Sequence, residues 1–158
     1  MYTQSPPLSD AEIDIFLNKA KLARFCTMNK DGTIHAAPVW FLHENGEIII
    51  ATPEASRKAR NVRHNPNVTV LVDESGTPED PAKGVIVYGE ATIVGEADPK
   101  WGISLFEKYV PKDKAESTMK RVLKVSKWMK IVVTPIKRAS FDYGKDVTWR
   151  EAMSGYAN

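Results

Sequence analysis

Apolar positions along this chain recur first at helical spacing and then in short runs, and the switch between the two marks its elements. Ser9-Asp10-Ala11-Glu12 has the form of a capping box, and Ile13, Phe16, Leu17 and Ala20 follow with helical spacing, which predicts an opening helix. Residues 22–28 then read as a strand, Asn29-Lys30-Asp31-Gly32 as a tight turn, and residues 33–42 as a second, longer strand. A turn at His43-Glu44-Asn45-Gly46 leads to residues 47–52, whose nearly unbroken apolar run suits a strand buried on both faces. Strands joined by tight turns in this way form an antiparallel meander.

The pattern changes sharply over residues 51–66, Ala-Thr-Pro-Glu-Ala-Ser-Arg-Lys-Ala-Arg-Asn-Val-Arg-His-Asn-Pro. Thr52 as N-cap with Pro53 at the first helical position, and Pro66 just past the end, predict a short helix. At 100° per residue, Ala55, Ala59 and Val62 share one stripe, Arg57, Arg60, Asn61 and His64 face away, and Lys58 lies on the flank. A helix N-terminus favours an anion through its free N–H groups and its dipole. Ser56, Arg57 and Lys58 add a hydroxyl and two cations in the first turns, a combination suited to a phosphate monoester. Arg60 and Arg63 read as solvated charges.

Beyond this helix, residues 68–73 predict a strand, residues 73–83 an acidic loop rich in Pro and Gly, and residues 84–95 another strand. Asp98-Pro99 opens a helix carrying Leu105, Phe106 and Tyr109, which Pro111 ends. Ala115, Met119, Val122 and Leu123 mark one more amphipathic helix. Residues 128–143 form a closing strand in which Pro135 implies an edge position or a bulge. The tail from Gly144 carries no readable pattern. About six strands without regular strand–helix alternation argue for a closed or half-closed antiparallel barrel.

Ser56-Arg57-Lys58-Ala59 and Asn65-Pro66, set between Ile48-Ile49-Ile50-Ala51-Thr52 and Val68-Thr69-Val70-Leu71-Val72, resemble the flavin-binding split-barrel superfamily that includes pyridoxamine 5′-phosphate oxidase. Pro38-Val39-Trp40-Phe41 after the Asp31-Gly32 turn, and Gly89-Glu90-Ala91 later, stand in the family's order, so the resemblance covers about residues 9–142. It implies a mainly β fold, an antiparallel split β-barrel with Greek-key connectivity and peripheral α-helices, as one domain over residues 1–158 with a tail at 144–158. It also implies FMN as cofactor. Residues 36–41, with Ala37, Pro38, Val39 and Trp40 among them, would lie along the ring. Ala51 and Thr52 would meet the ribityl chain and phosphate, and Ser56, Arg57 and Lys58 would close on the phosphate.

Two departures argue against vitamin B6 oxidation itself. The Gln that pyridoxamine phosphate oxidases carry on the fifth strand is replaced here by Gly84, preceded by Lys83, and their C-terminal Trp and Arg-rich segment has no counterpart after Tyr143. The chain is most similar to the short reductase-like members. The expected activity is therefore that of an FMN-dependent oxidoreductase moving hydride or electrons to or from a small organic substrate, with a nicotinamide as a passing donor. A deazaflavin coenzyme in the same groove, its longer tail reaching Arg60 or Lys83, is one alternative; a non-catalytic flavin or haem binder is the other. No acid, base or nucleophile is expected, because the redox chemistry belongs to the cofactor.

Composition narrows the field further. With 158 residues, 42% hydrophobic and 27% charged, the chain has the make-up of a globular domain, and a formal charge of +2 is too small to indicate nucleic acid or a membrane surface. The absence of a signal-like start or a long apolar run makes cytoplasm the default compartment. The single cysteine, Cys26, is expected to pack as a small buried hydrophobe. His35, His43 and His64 share no metal-ligand spacing, so no metal is predicted, and neither a Ser triad nor a Gly-rich phosphate loop is present. Phe16, Phe25, Phe41 and Phe106 read as core, and Trp40 as either core or ring contact. Meander strands apolar on both faces leave more surface than one small barrel can bury, which predicts a two-fold homodimer with the flavin at its interface.

Overall fold

The computed structural model describes residues 6–74 and 76–156. In chain order the elements are α1 (Asp10–Lys19), β1 (Ala23–Met28), β2 (Ile34–Val39), β3 (Phe41–Glu44), β4 (Glu47–Pro53), α2 (Arg57–His64) and β5 (Asn67–Glu74), followed by β6 (Lys83–Glu96), α3 (Pro99–Glu107), α4 (Lys112–Val125), β7 (Trp128–Asp142) and α5 (Val147–Met153). The opening helix has the full capping box: the Ser9 side chain accepts from the Glu12 backbone N–H, and the Glu12 carboxylate accepts from that of Ser9 at 2.7 Å.

All pairings are antiparallel, in a seven-stranded sheet of order β2-β1-β5-β6-β7-β4-β3. Strands β2 and β3 are the two edges of that sheet, yet only Trp40 separates them in the chain. Two residues of backbone span no more than about 7 Å, so the sheet must curl until its edges meet at Trp40. The result is a mainly β split barrel with peripheral helices. The predicted meander is corrected on two points by this closure. The long second strand is broken at Trp40, which makes seven strands, and β4 pairs with β7 as well as with its hairpin partner β3. Pro38 lies on an edge strand, where its missing N–H leaves no ladder bond unmade. Pro135 stands opposite Gly89 at a bulge, since the register shifts between Tyr88 and Gly89.

Phe25, Phe41, Ile48, Ile50, Val70, Val85 and Ile131 fill the barrel, and Phe16 and Leu17 of α1 with Val62 of α2 join the same core. Ile49 on the opposite face of β4 is also buried, so the apolar run of β4 is satisfied within one chain. The apolar surface that remains lies elsewhere. Met28, Ile34, Tyr88 and Ile136 are exposed on the outer side of the barrel, around a hollow of about 390 Å³ that Cys26 also lines. Cys26 is thus half-buried on an outer wall and is not a core residue; partial burial raises its thiol pKa. A second, smaller cluster of Ala97, Phe106, Ala115 and Met119 packs α3 against α4, with Trp101 and Trp128 at its margin. The tail without a pattern forms α5, capped by Asp146, whose carboxylate accepts from Trp149 N at 3.1 Å.

Candidate functional site

The basic helix begins one turn later than its sequence predicts. Thr52 and Pro53 remain in β4, paired with Met129 and Trp128, and the N-cap is Ser56, whose Oγ accepts from the Ala59 N–H at 3.2 Å. Sheet pairing outcompetes the local Thr-Pro signal, because continuing the ladder satisfies backbone groups that an earlier helix start would leave bare. Thr52 Oγ1 donates to Ser56 Oγ at 3.0 Å, so both acceptor positions of Ser56 are used and its hydroxyl proton stays free to donate. The inward stripe is corrected as well. Ala55 is exposed ahead of the helix. Asn61, expected on the far side, is buried, with Nδ2 donating to Thr27 Oγ1 at 3.0 Å and to Asn29 Oδ1 at 2.9 Å. That link docks α2 on β1 and fixes where its first turn points.

The cations of the helix divide in the same way. Arg63 is held by Glu54, at 3.6 Å from its carboxylate and 3.3 Å from its carbonyl oxygen. The side chains of Arg57, Lys58 and Arg60 make no hydrogen bond or ion pair among the described residues. Arg57 and Arg60 are exposed, whereas Lys58 is half-buried, and that burial lowers its pKa below the ordinary lysine value.

Lys58 enters a pocket of about 560 Å³ between the barrel and the α3–α4 pair. The floor consists of Pro38, Val39 and Trp40 at the split and Ala51, Thr52 and Pro53 at the end of β4, with Leu22 and Trp128 at the sides. The roof consists of Gly102, Leu105 and Phe106 from α3 and Met119 and Val122 from α4. Lys58 is the one charged side chain in this lining. Of the residues the sequence singles out, Pro38, Val39, Trp40, Ala51, Thr52 and Lys58 therefore meet in one cavity. Ala37, Ser56 and Arg57 lie outside it, the first on the edge strand β2 and the others at the start of α2.

Trp40 is 41% exposed, which settles its role as pocket wall over core. It stacks on Tyr109 with ring centroids 4.4 Å apart and meets Phe106 edge-on at 5.7 Å. Tyr109 ties the roof to the split, since its hydroxyl accepts from Phe41 N at 2.8 Å and donates to Phe41 O at 2.9 Å. Burial raises the phenol's pKa to about 12, so it remains a donor. Lys108 adds a second tether, with Nζ 3.3 Å from both Leu17 O and Phe41 O, and burial together with Lys21 brings its pKa down to about 8. The roof residues escaped sequence reasoning because their helical spacing is equally that of an ordinary buried helix face. At Gly84 a Cβ would sit 2.7 Å from Phe141 Cζ, leaving no room for the Gln of pyridoxamine phosphate oxidases unless that ring moves.

The profile of the pyridoxamine 5′-phosphate oxidase family matches residues 9–127. The chain belongs to that family. Among solved structures, a conserved hypothetical protein from Mycobacterium tuberculosis is 27% identical with a TM-score of 0.76, covering 91% of this chain and 90% of its own. An FAD-binding protein from Mesorhizobium loti shares the fold at 20% identity and TM-score 0.60, covering 87% of this chain and 97% of its own. An F420 reductase does so at 22% and 0.57, covering 79% of this chain and 94% of its own. No curated protein matches the chain. The last two likenesses are of fold, and among the described residues no helix is long and apolar enough to cross a membrane.

Proposed function

We infer that the protein is an FMN-dependent oxidoreductase that passes hydride or electrons between the flavin and a small organic substrate. The observation that carries this reading is Lys58, a half-buried cation with no partner among the described residues, the one charged side chain lining a mainly apolar pocket of about 560 Å³. That volume lies inside the roughly 300–1,000 Å³ range of small-molecule sites. The donor set fits the group: an apolar slot for a flat ring, Thr52 beside it for the ribityl chain, then the Ser56 hydroxyl proton, Lys58 and Arg57 for a phosphate, with the first N–H groups of α2 beside them. Ala37 would lie along the ring on β2, beyond the part of the floor formed by Pro38, Val39 and Trp40. When bound, FMN supplies the redox chemistry, and these residues position it, exclude water and balance its charge.

A homodimer belongs to the same reading, with the exposed Met28, Ile34, Tyr88 and Ile136 as the surface to be covered. A nicotinamide would act as a passing electron donor, and the compartment would be the cytoplasm. The test is a visible spectrum of the purified protein followed by titration with FMN and riboflavin. Flavin absorbance with FMN bound more tightly than riboflavin is the expected result. Equal affinities would remove the phosphate assignment. Saturation only by a deazaflavin coenzyme, or a Soret band, would replace FMN by that coenzyme or by haem. Sedimentation as a stable monomer with flavin bound would overturn the interface.

A further inference from the structure

His35 lies on β2, three residues before Pro38 of this pocket, and no part of the flavin reading uses it. In the β1–β2 ladder it pairs with Thr27, and directly opposed residues of an antiparallel pair project to the same face. Thr27 faces α2, because its Oγ1 accepts from Asn61 Nδ2 at 3.0 Å. Asn61 lies four residues after Arg57, hence on the same side of the helix, one turn below it. This chain of contacts puts His35 on the side of the β1–β2 ladder that α2 covers, and Arg57 and Lys58 of the first turn both act on it through their charges. Its ring makes no hydrogen bond among the described residues, although its carbonyl lies 3.5 Å from Thr27 Oγ1.

We propose that His35 is a third member of the phosphate site with Arg57 and Lys58, and that it takes up a proton when a phosphate monoester dianion binds. The inference rests on the FMN reading for its ligand but concerns a residue that reading leaves out. In the free protein, partial burial first and the fields of Arg57 and Lys58 next hold His35 below the ordinary histidine range, so it is neutral at pH 7. Of the carboxylates, Asp31 feels the charge of Arg57, but it is held chiefly by Thr33, whose N–H and hydroxyl both donate to it. Thr27 on β1 and Asn61 on α2, the other side chains of the cluster, carry no charge. A dianion placed among these groups reverses the sign of the local field, and the imidazolium becomes the favoured form. Binding then adds a proton to the protein from solvent, and His35 changes from a neutral ring into a cationic donor.

Only three histidines occur in the chain, so the His35 ring can be followed directly by NMR in the wild-type protein. His35 should titrate at clearly higher pH in the FMN complex than in the free protein or the riboflavin complex. The preference for FMN over riboflavin should rise roughly threefold or more as pH falls from 8 to 6.5, and His35→Gln should flatten that rise. Identical His35 titration in the free, riboflavin-bound and FMN-bound forms would overturn the proposal, as would an unchanged pH profile in a folded His35→Gln variant. If FMN does not bind but inorganic phosphate still moves the His35 titration, the flavin reading falls and this one stands. If neither FMN nor phosphate moves it, the inference falls.

Discussion

Val39 and Thr52 on the pocket floor are held by backbone ladders, paired with Ala23 and Met129 inside the closed sheet. Leu105, Phe106 and Met119 on the roof have no such ladder. Phe106 and Met119 belong to a small side-chain cluster between α3 and α4, and Tyr109 and Lys108 tether the end of α3 to Phe41. The floor is therefore part of the cooperative unit that folds the domain, whereas the roof can open at lower cost. A site built in this way would keep fixed geometry for the flat ring proposed to lie on the floor. It leaves the roof, whose pocket-lining side chains are uncharged, to adapt to a second molecule.

The largest test of that contrast is truncation on each side. Phe25→Ala, which empties a fully buried position in the barrel, should lower global stability by about 3–5 kcal/mol in denaturant unfolding. Phe106→Ala should raise hydrogen exchange in α3 and α4 while the barrel amides keep their protection. Equal loss of protection in both regions would mean that floor and roof form one unit.

The next test separates cations that face the pocket end from one already paired. Arg57→Ala or Lys58→Ala should weaken FMN by about 1.5–3 kcal/mol, roughly ten- to a hundredfold in Kd, and leave riboflavin nearly unaffected. Arg63→Ala should change either affinity by less than about threefold, because its charge is exposed, screened and engaged with Glu54. Fluorescence quenching titrations check all three, and equal losses would reduce α2 to a diffuse positive field.

Tyr109→Phe keeps the stack on Trp40 but strips the Phe41 N–H of its partner, which should destabilise the roof tether by about 1–3 kcal/mol. Exchange in α3 and α4 should rise while the preference for FMN over riboflavin holds, since the phosphate contacts belong to α2. The smallest effect is at the far end of the barrel. Glu12 is held down to about 2 from an ordinary 4.5, chiefly by Lys145 and then by the Ser9 cap. Its depressed pKa adds stability that is present above about pH 4.5 and lost as pH falls toward about 2. Thermal melting of Glu12→Gln should show a flatter acid limb than the wild type.

Most of the fold is legible in the sequence because it rests on local or period-two signals. The capping box at Ser9, the apolar run of β4, the Asp98-Pro99 helix start and the Pro135 bulge all appear where residue pattern alone places them. The short basic helix with Arg57 and Lys58 in its first turn is equally readable, since it needs only neighbours in sequence. What the sequence could not determine are the features that depend on residues far apart meeting. Trp40 lies in an unbroken strand pattern, and only closure of a seven-stranded sheet breaks the strand there. Thr52-Pro53 has the local form of a helix start, and β7, some 75 residues on, claims it for the sheet. Asn61 looks like a solvated residue until α2 docks on Thr27 and Asn29. The roof exists only because α3 and α4 fold back over the split. Local propensity and periodicity report what a segment prefers by itself, whereas ladder pairing and burial are collective. Only the tertiary structure decided which faces met, and so where the pocket lies and which cation enters it.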